Sequence, residues 1–403
     1  MSMRYRLDDI CCVSSAKRIF ESEYVKQGIP FIRGLEITNG SLLKDETKFE
    51  CYISRERYEQ IVSKYGKPSK GDILITAVGI IGNLCYITKE MDFYFKDGNI
   101  IWFSNTNQKC NSKWLYYWMK SQFFKEQIKY SMIGAVQKAL TIDMLNKVTI
   151  SLPPLPIQRK IAAVLTALDD KIALNKRINN KLEVMAKRLY DYWFVQFDFP
   201  DENGRPYKSS GGKMVWNETL KREIPEGWEV KRLGEHLNFN ENSISTNEKY
   251  NYIQYLDTSN LTENKICSII KIEDPKQYPS RARRIIEEND ILFSTVRLSQ
   301  LHYGIIKNSH QYLIASTGFA VLSCKHGSQF NDIFYRFIIK DENIDTLNKI
   351  ATLNASSYPS INPSDILNLN ICMPTNLSDL IPLENVLTIY HKKLNITIIK
   401  QLI

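Results

Sequence analysis

SLPPLPIQRKIAAVLTALDDKIALNKRINNKLEVMAKRLYDYWFVQF, residues 151–197, decides how the rest of the chain is organised. Pro153, Pro154 and Pro156 suit an extended approach and a first helical turn, where a nitrogen without hydrogen leaves nothing unpaired. No Gly or Pro follows until Pro200. Apolar residues recur at Ile161, Leu165, Leu168, Ile172, Leu182, Ala186, Leu189 and Trp193, in steps of three and four that fall on one helical stripe. Asn175 and Asn179 share that stripe, and a polar residue in an apolar seam fixes register at a cost in stability. A helix of this length spans about 60 Å at 1.5 Å per residue, long for an element inside an ordinary domain. Its charged face sets Arg159, Lys160, Lys171, Lys176, Arg177, Lys181, Lys187 and Arg188 against Asp169, Asp170, Glu183 and Asp191. A core helix with a solvated face has the same pattern. The length, and the isolation between prolines, favour a rod between two domains.

Before the rod, residues 1–150 read as mixed α/β. Short β-rich runs stand at Pro30–Ile37, Asp72–Val78, Asn83–Thr88 and Asn99–Phe103, punctuated by Gly and Asn. One helix is expected across Lys113–Tyr130, where Trp114, Leu115, Tyr117, Trp118 and Phe124 interleave with Lys and Gln. Thr141 is placed to cap a short helix, and Val148–Leu152 alternates as a strand does. After the rod, Asp198–Gly227 is rich in Gly, Pro, Ser and charge and reads as a linker. IPEGWEVKRLGEHL then restarts a folded segment.

The chain repeats itself. FIRGLEITN at 31–39 aligns with YIQYLDTSN at 252–260, GDILITAVG at 71–79 with NDILFSTVR at 289–297, and LTIDMLNKVTISLP at 140–153 with INPSDILNLNICMP at 361–374. VLTALDDKI at 164–172 matches VLTIYHKKL at 386–394, and the offset stays near about 220 residues throughout. The order and the constant offset make two copies of one unit, an α/β domain followed by a helix. The second helix carries Leu380, Leu383, Leu387, Tyr390 and Leu394 at the same spacing and is the shorter. Each helix has an apolar seam without an obvious partner in its own domain, so the seams are expected to bury each other. A two-fold relation between the copies makes that packing antiparallel. The expected architecture is α+β: two repeated α/β domains separated by long helices packed as an antiparallel coiled coil, a dumbbell with pseudo-two-fold symmetry. Boundaries fall at 1–153, a central helix at 154–197, a linker at 198–227, a second domain at 228–374 and a C-terminal helix at 375–403.

Composition constrains the class. Of 403 residues, 43% are hydrophobic and 24% charged, as in folded soluble proteins of two or three domains. The net charge of +9 permits an anionic partner without identifying one. The opening MSMRYRLDDICC has no apolar run, so no secretory leader is expected. No run of 18 apolar residues exists, so no membrane span is expected. The eight cysteines are scattered with no C-x-x-C, which fits reduced thiols in a cytoplasmic protein and leaves no zinc pattern. No P-loop, G-x-G-x-x-G, H-E-x-x-H or nucleophile elbow occurs. Nor does the N-P-P-[YF] type of motif with which amino-methyltransferases hold a flipped base. Pro225–Lys231 superficially fits a nuclease pattern of acid followed by E-x-K. Its acidic residues stand at a linker edge without a strand pair, so it reads as a domain start anchored by Trp228. No catalytic residue and no metal ligand is expected.

Basic and polar clusters suit binding better. Arg281, Arg283 and Arg284 form one, with Arg297 in the aligned strand region. Arg55, Arg57, Lys64, Lys67 and Lys70 surround a turn in the first half. Gln137 and Lys138 precede the first rod, and Ser356, Ser357 and Tyr358 hold the matching place in the second half. Arg and Lys contact phosphates, while Arg, Gln, Asn and Ser also read base edges. The expected helix seam comprises Leu165, Leu168, Ile172, Asn175, Asn179, Leu182, Leu189, Leu383, Leu387, Tyr390 and Leu394.

LPPLPIQRKIAAVL…LDDKI…N, the ending LYDYWFVQFDF, the restart IPEGWEVKRLGE and the two-copy layout resemble the specificity (S) subunit of type I restriction-modification enzymes over essentially the full length. The resemblance implies a non-catalytic subunit with two target-recognition domains, each reading one half of a split double-stranded DNA sequence. It implies helices that set the gap and bind two methylation subunits, with restriction subunits joining them. S-adenosylmethionine then belongs to the methylation subunits, and ATP with Mg to the restriction subunits, so no cofactor is expected in this chain. The first domain departs from the pattern in lacking the P-x-G-W start of the second. A stand-alone DNA-modifying enzyme and a protein-interaction scaffold are the alternatives.

Overall fold

The computed structural model describes residues 3–40, 49–132, 139–244, 250–307, 311–353 and 359–390. Contacts divide the chain into two compact units, residues 1–172 and 173–403.

In the first unit the strands are β1 (Met3–Arg6), β2 (Cys12–Ser15), β3 (Tyr24–Val25), β4 (Ile29–Ile32), β5 (Tyr52–Ile53), β6 (Ile73–Thr76), β7 (Leu84–Tyr86), β8 (Tyr94–Phe95), β9 (Ile100–Ser104) and β10 (Thr149–Leu152). The helices are α1 (Gly34–Thr38), α2 (Arg55–Tyr65), α3 (Ser112–Lys120), α4 (Gln122–Ser131), α5 (Ile142–Asn146) and the start of α6 (Leu155–Phe194). One antiparallel sheet has the order β2-β9-β6-β7, a second the order β3-β5-β4-β8, with β4 and β8 parallel. β1 pairs with β10 and closes the domain, Met3 opposite Leu152.

Two expected elements change here. Of the Pro30–Ile37 run only Pro30, Phe31 and Ile32 are strand, as part of β4; helix begins at Gly34. The helix expected across Lys113–Tyr130 is two helices, because the Ser121 side chain accepts from the Phe124 amide and caps a new start. Thr141 caps α5 as expected.

The second unit continues α6 and adds β11 (Met214–Asn217), β12 (Arg222–Pro225), β13 (Trp228–Arg232), β14 (Leu237–Phe239), β15 (Ile253–Leu256), β16 (Leu261–Thr262), β17 (Lys265–Ile266), β18 (Ile270–Ile272), β19 (Ala282–Ile285), β20 (Ile291–Ser294), β21 (Tyr303–Ile305), β22 (Leu313–Ser316), β23 (Phe319–Cys324) and β24 (Asn370–Pro374). Its further helices are α7 (Leu233–His236), α8 (Asn331–Ile338), α9 (Asp341–Leu353) and α10 (Pro363–Leu367). The repeat reappears in the main sheet, the parallel pair and the closing strands. The order β14-β23-β20-β21 copies β2-β9-β6-β7, the parallel pair β15–β22 copies β4–β8, and β13–β24 closes the domain as β1–β10 does. Even a turn is duplicated. Asp72 accepts from the Ser69 amide three residues back, and Asp290 accepts from the Glu287 amide, each at the start of the central strand.

Residues 198–227, expected as a linker, are ordered. β11 and β12 form an antiparallel hairpin, Met214 opposite Pro225. Phe199 stacks on Tyr207 and on Trp228 at ring separations of 4.8 and 5.0 Å. Arg222 lies over the Phe197 ring and donates to the Val195 carbonyl at 2.9 Å. The segment is a small ordered element that ties the end of α6 to the second domain.

The chain leaves the second domain at Pro374, opposite Trp228, and Trp228 packs on Phe194 and Phe197 at the end of α6. Ten residues on, Glu384 acts on Lys307, whose neighbour Asp332 pairs with Arg336 and through it with Glu183. The helix at 381–390 therefore runs antiparallel to α6. Leu380, Leu383 and Leu387 share one core with Ala186, Tyr190, Trp193 and Phe194, with Leu189 and Tyr390 packed against it.

Along the rest of the seam, Leu182 and Asn175 are buried, and Leu165, Ile172 and Asn179 are half-buried. Leu168 corrects the expectation, being 55% exposed. In the first unit α6 turns inward a face that shares Leu165 with the seam and adds Gln158, Ala162, Thr166 and Asp169. Ala162 enters the first domain's core and Gln158 has no exposed surface. Leu394 lies outside the described residues. Among those residues no helix is long and apolar enough to cross a membrane.

Candidate nucleic-acid interface

In each domain one hairpin tip is held by a hydroxyl and an amide from the same position of the repeat. Thr76 donates from Oγ1 to the Ile80 carbonyl at 2.5 Å, and its amide donates to the Asn83 carbonyl at 2.9 Å. Ser294 stands at the same place, donating from Oγ to the Val296 carbonyl at 2.7 Å and from its amide to His302 at 2.8 Å. Gly79 and Arg297 occupy matching positions and are both left-handed, at φ 74° and 51°. Glycine adopts that conformation freely. For arginine it is uncommon, a mark of a site set by something other than local propensity. The tips differ in chemistry. The first exposes Val78 and Ile80; the second exposes Arg297, Ser299 and Gln300.

Other segments meet these tips. In the first domain Leu140 donates to the Ala77 carbonyl, and Asn83 donates to Thr38 Oγ1 of α1 at 2.9 Å. In the second, Ile361 donates to the Thr295 carbonyl, and the Thr317–Gly318 turn bonds Arg281 on one side and Thr295 on the other. Arg281 and Arg297 thus flank one turn, and both are exposed.

The remaining cations divide. Arg283 donates from Nε to the Ser280 carbonyl at 3.2 Å. Arg284 donates to Ser243 Oγ at 3.1 Å, and burial pushes its guanidinium below the usual range. It supports the edge of β19 and is half-buried. In the first domain Arg57 pairs with Glu23 at 2.7 Å, Lys67 with Asp92 at 2.8 Å, and Arg55 lies 3.7 Å from Asp92 and 4.0 Å from Glu59. The Lys67 ammonium, with the Tyr58 hydroxyl, holds the Asp92 carboxyl below its ordinary value. Lys64 and Lys70 stand exposed. This cluster surrounds α2 and is not brought to the tip; most of its charge is answered internally. Gln137, Lys138, Ser356, Ser357 and Tyr358 lie outside the described residues. The nuclease-like run is accounted for structurally, since Glu226 pairs with Lys213, Glu229 with Lys231, and Trp228 sits in the aromatic stack.

Sequence reading did not single out the exposed tip residues Val78, Ile80 and Gln300. Val78 lies within the aligned run GDILITAVG, and extending that run and NDILFSTVR by a few residues would have reached Ile80 and Gln300.

Residues 2–184 and 225–396 each match the profile described as the type I restriction modification DNA specificity domain. The chain belongs to this family of type I restriction-modification specificity proteins. The family's two matched copies coincide with the two structural repeats. A specificity subunit of the type I restriction enzyme MjaIX from Methanocaldococcus jannaschii is 26% identical over 369 residues, 87% of this chain and 78% of that one. A putative type I restriction enzyme specificity subunit from Haemophilus influenzae is 32% identical over 199 residues, 48% of this chain and 47% of that one. A crystal structure of the type I restriction-modification system S subunit from M. genitalium covers 100% of this chain and 92% of its own at TM-score 0.58 and 12% identity, a likeness of fold.

Proposed function

We propose that this specificity-family chain is the non-catalytic, DNA-reading subunit of a cytoplasmic type I restriction-modification complex, each domain reading one half of a two-part duplex target. The carrying observation is the pair of hairpin tips, held from the same position of the repeat but furnished differently, with Val78 and Ile80 on one and Arg297 and Gln300 on the other. One scaffold with two sets of exposed side chains suits two different half-sites. Arginine pairs with guanine edges, and apolar groups meet the thymine methyl. Two modest readers on one chain act bivalently, so the second contact is effectively intramolecular.

In this reading the helices set the gap and dock two methylation subunits, which bring S-adenosylmethionine; restriction subunits bring ATP and Mg. Exposed Ile157, Val164, Leu174 and Met185 on α6 support a helix with a further partner. The experiment is to co-express the chain with a methylation subunit and map methylated adenines genome-wide. A split motif supports the reading. Methyl transfer by the purified chain alone would overturn it in favour of a stand-alone enzyme.

A further inference from the structure

Equivalent helices of the repeat, α3 and α8, fasten the domains to α6, and each fastening converges on one acidic side chain of that helix. In the first domain the Tyr117 hydroxyl donates to Asp169 Oδ2 at 3.0 Å and lies 3.3 Å from Thr166 Oγ1. Lys120 Nζ is 3.6 Å from the same carboxylate. Lys113, one turn earlier, lies over the Tyr86, Tyr116 and Tyr117 rings at 4.1, 5.1 and 5.5 Å. Burial, with Asp169 beside it, pushes the Tyr117 hydroxyl up to about 12, so it remains a donor.

In the second domain Arg336 Nη2 is 3.7 Å from Glu183 Oε2, and its Nε is 2.9 Å from Asp332 Oδ1. Lys307 Nζ stands 3.7 Å from Asp332 Oδ2 and donates to Asn289 Oδ1 at 3.0 Å. Asp332 and Arg336 are 2% and 6% exposed. Lys113 aligns with Asp332 and Tyr117 with Arg336 in the repeat. The same two places on the same helix therefore carry different chemistry with one outcome, a polar group reaching across to a carboxylate of α6.

Buried ion pairs contribute little net stability over apolar packing, but their geometry is directional. Apolar side chains tolerate a few degrees of rotation between packed helices; the Tyr117–Asp169 hydrogen bond does not, and the Arg336–Glu183 ion pair, at 3.7 Å, weakens as its charges separate. A domain of this size has a radius of gyration of about 15 Å. A tilt of about 13° moves a contact at that radius by about 3.4 Å, the rise of one base pair.

We infer that Tyr117–Asp169 and Arg336–Glu183 are positioning contacts that fix the tilt of each reading domain on its own stretch of α6, and so restrict the gap the chain accepts between half-sites. The inference rests on the two-part target proposed above. Asp169 and Glu183 sit on the half-exposed surface of a helix, so Asp169→Asn and Glu183→Gln leave the fold intact, which a thermal melt checks. The full-length chain and each variant select from a pool of random duplex DNA, and the bound molecules are sequenced. The wild type should enrich two half-sites at one gap. Each variant should keep the same half-sites while spreading over two or more adjacent gap lengths, with overall affinity lowered no more than a few-fold. A single unchanged gap in both variants overturns the inference while leaving the two-part reading standing. A wild type that enriches only an unsplit sequence overturns the reading, and the inference with it.

Discussion

Gln158, with no exposed surface, accepts a hydrogen bond from the Asn111 amide at 2.8 Å. Its own amide donates to the Lys109 and Pro153 carbonyls at 3.0 and 2.8 Å, and the Asn111 side chain caps α3. One glutamine in the first turn of α6 thus joins the helix start, the strand exit at Pro153 and the start of the helix that meets Asp169. Gln158→Leu leaves one amide and two carbonyls buried without partners, each at about 1–3 kcal/mol. Denaturant unfolding should show the first unit destabilised by about 3 kcal/mol or more, with the second unit's transition unmoved.

Trp228 is the matching anchor at the other end of the helix. It contacts Phe194, Phe197 and Phe199 at ring separations between 5.0 and 5.5 Å. Trp228→Ala should cost about 3–5 kcal/mol, as large aromatic truncations do. Limited proteolysis should then cut within residues 201–213 faster than in the wild type, where the Phe199–Tyr207 stack and the β11–β12 hairpin flank them.

Burial raises the Asp290 carboxyl to about 7, against about 3.9 in an unfolded chain. The folded state holds the proton more tightly, so this contribution to stability is fully present below about pH 4 and is lost as pH rises through about 7. Asp290→Asn keeps the acceptor for the Glu287 amide without the charge. Melting temperatures should fall between pH 5 and pH 8 in the wild type by more than in the variant. Equal falls would mean that Asp290 titrates in its ordinary range.

The paired aspartates show what the sequence makes legible. GDIL and NDIL mark one turn and one central strand, and both copies fold as the alignment requires. The repeat and the long helix are legible because each rests on a pattern carried over many residues. Local punctuation was less informative. Ser121 reads as one polar residue in an apolar stretch, yet its hydroxyl caps α4 and splits the helix. Asp198–Gly227 has the composition of a linker, but its order comes from Phe199 stacking on Tyr207 and on Trp228, a contact between its two ends that composition does not register. Leu168 fits the seam by spacing, whereas Ala162 and Gln158, on another face, make the contact with the first domain. A run of arginines likewise does not say which member faces solvent. The bulge between Ala282 and Arg284 in β19 breaks simple alternation there.

That difference separates Arg281 from its neighbours in a binding experiment. Arg281 is exposed and shares a turn with the tip that carries Arg297, whereas Arg57 is paired with Glu23 and Arg284 is committed to Ser243. A cation that neutralises a phosphate releases a counterion, so each such contact contributes about 0.9 to the slope of log affinity against log salt. Arg281→Ala should lower the slope by about that amount and weaken all sequences alike. Arg57→Ala should leave the slope unchanged. Arg284→Ala should act mainly on the melting temperature of the second unit, through the lost edge of β19. Titrations of duplex DNA at several salt concentrations decide among the three. A slope that falls for Arg57 and not for Arg281 would place the DNA against α2 and away from the hairpin tip.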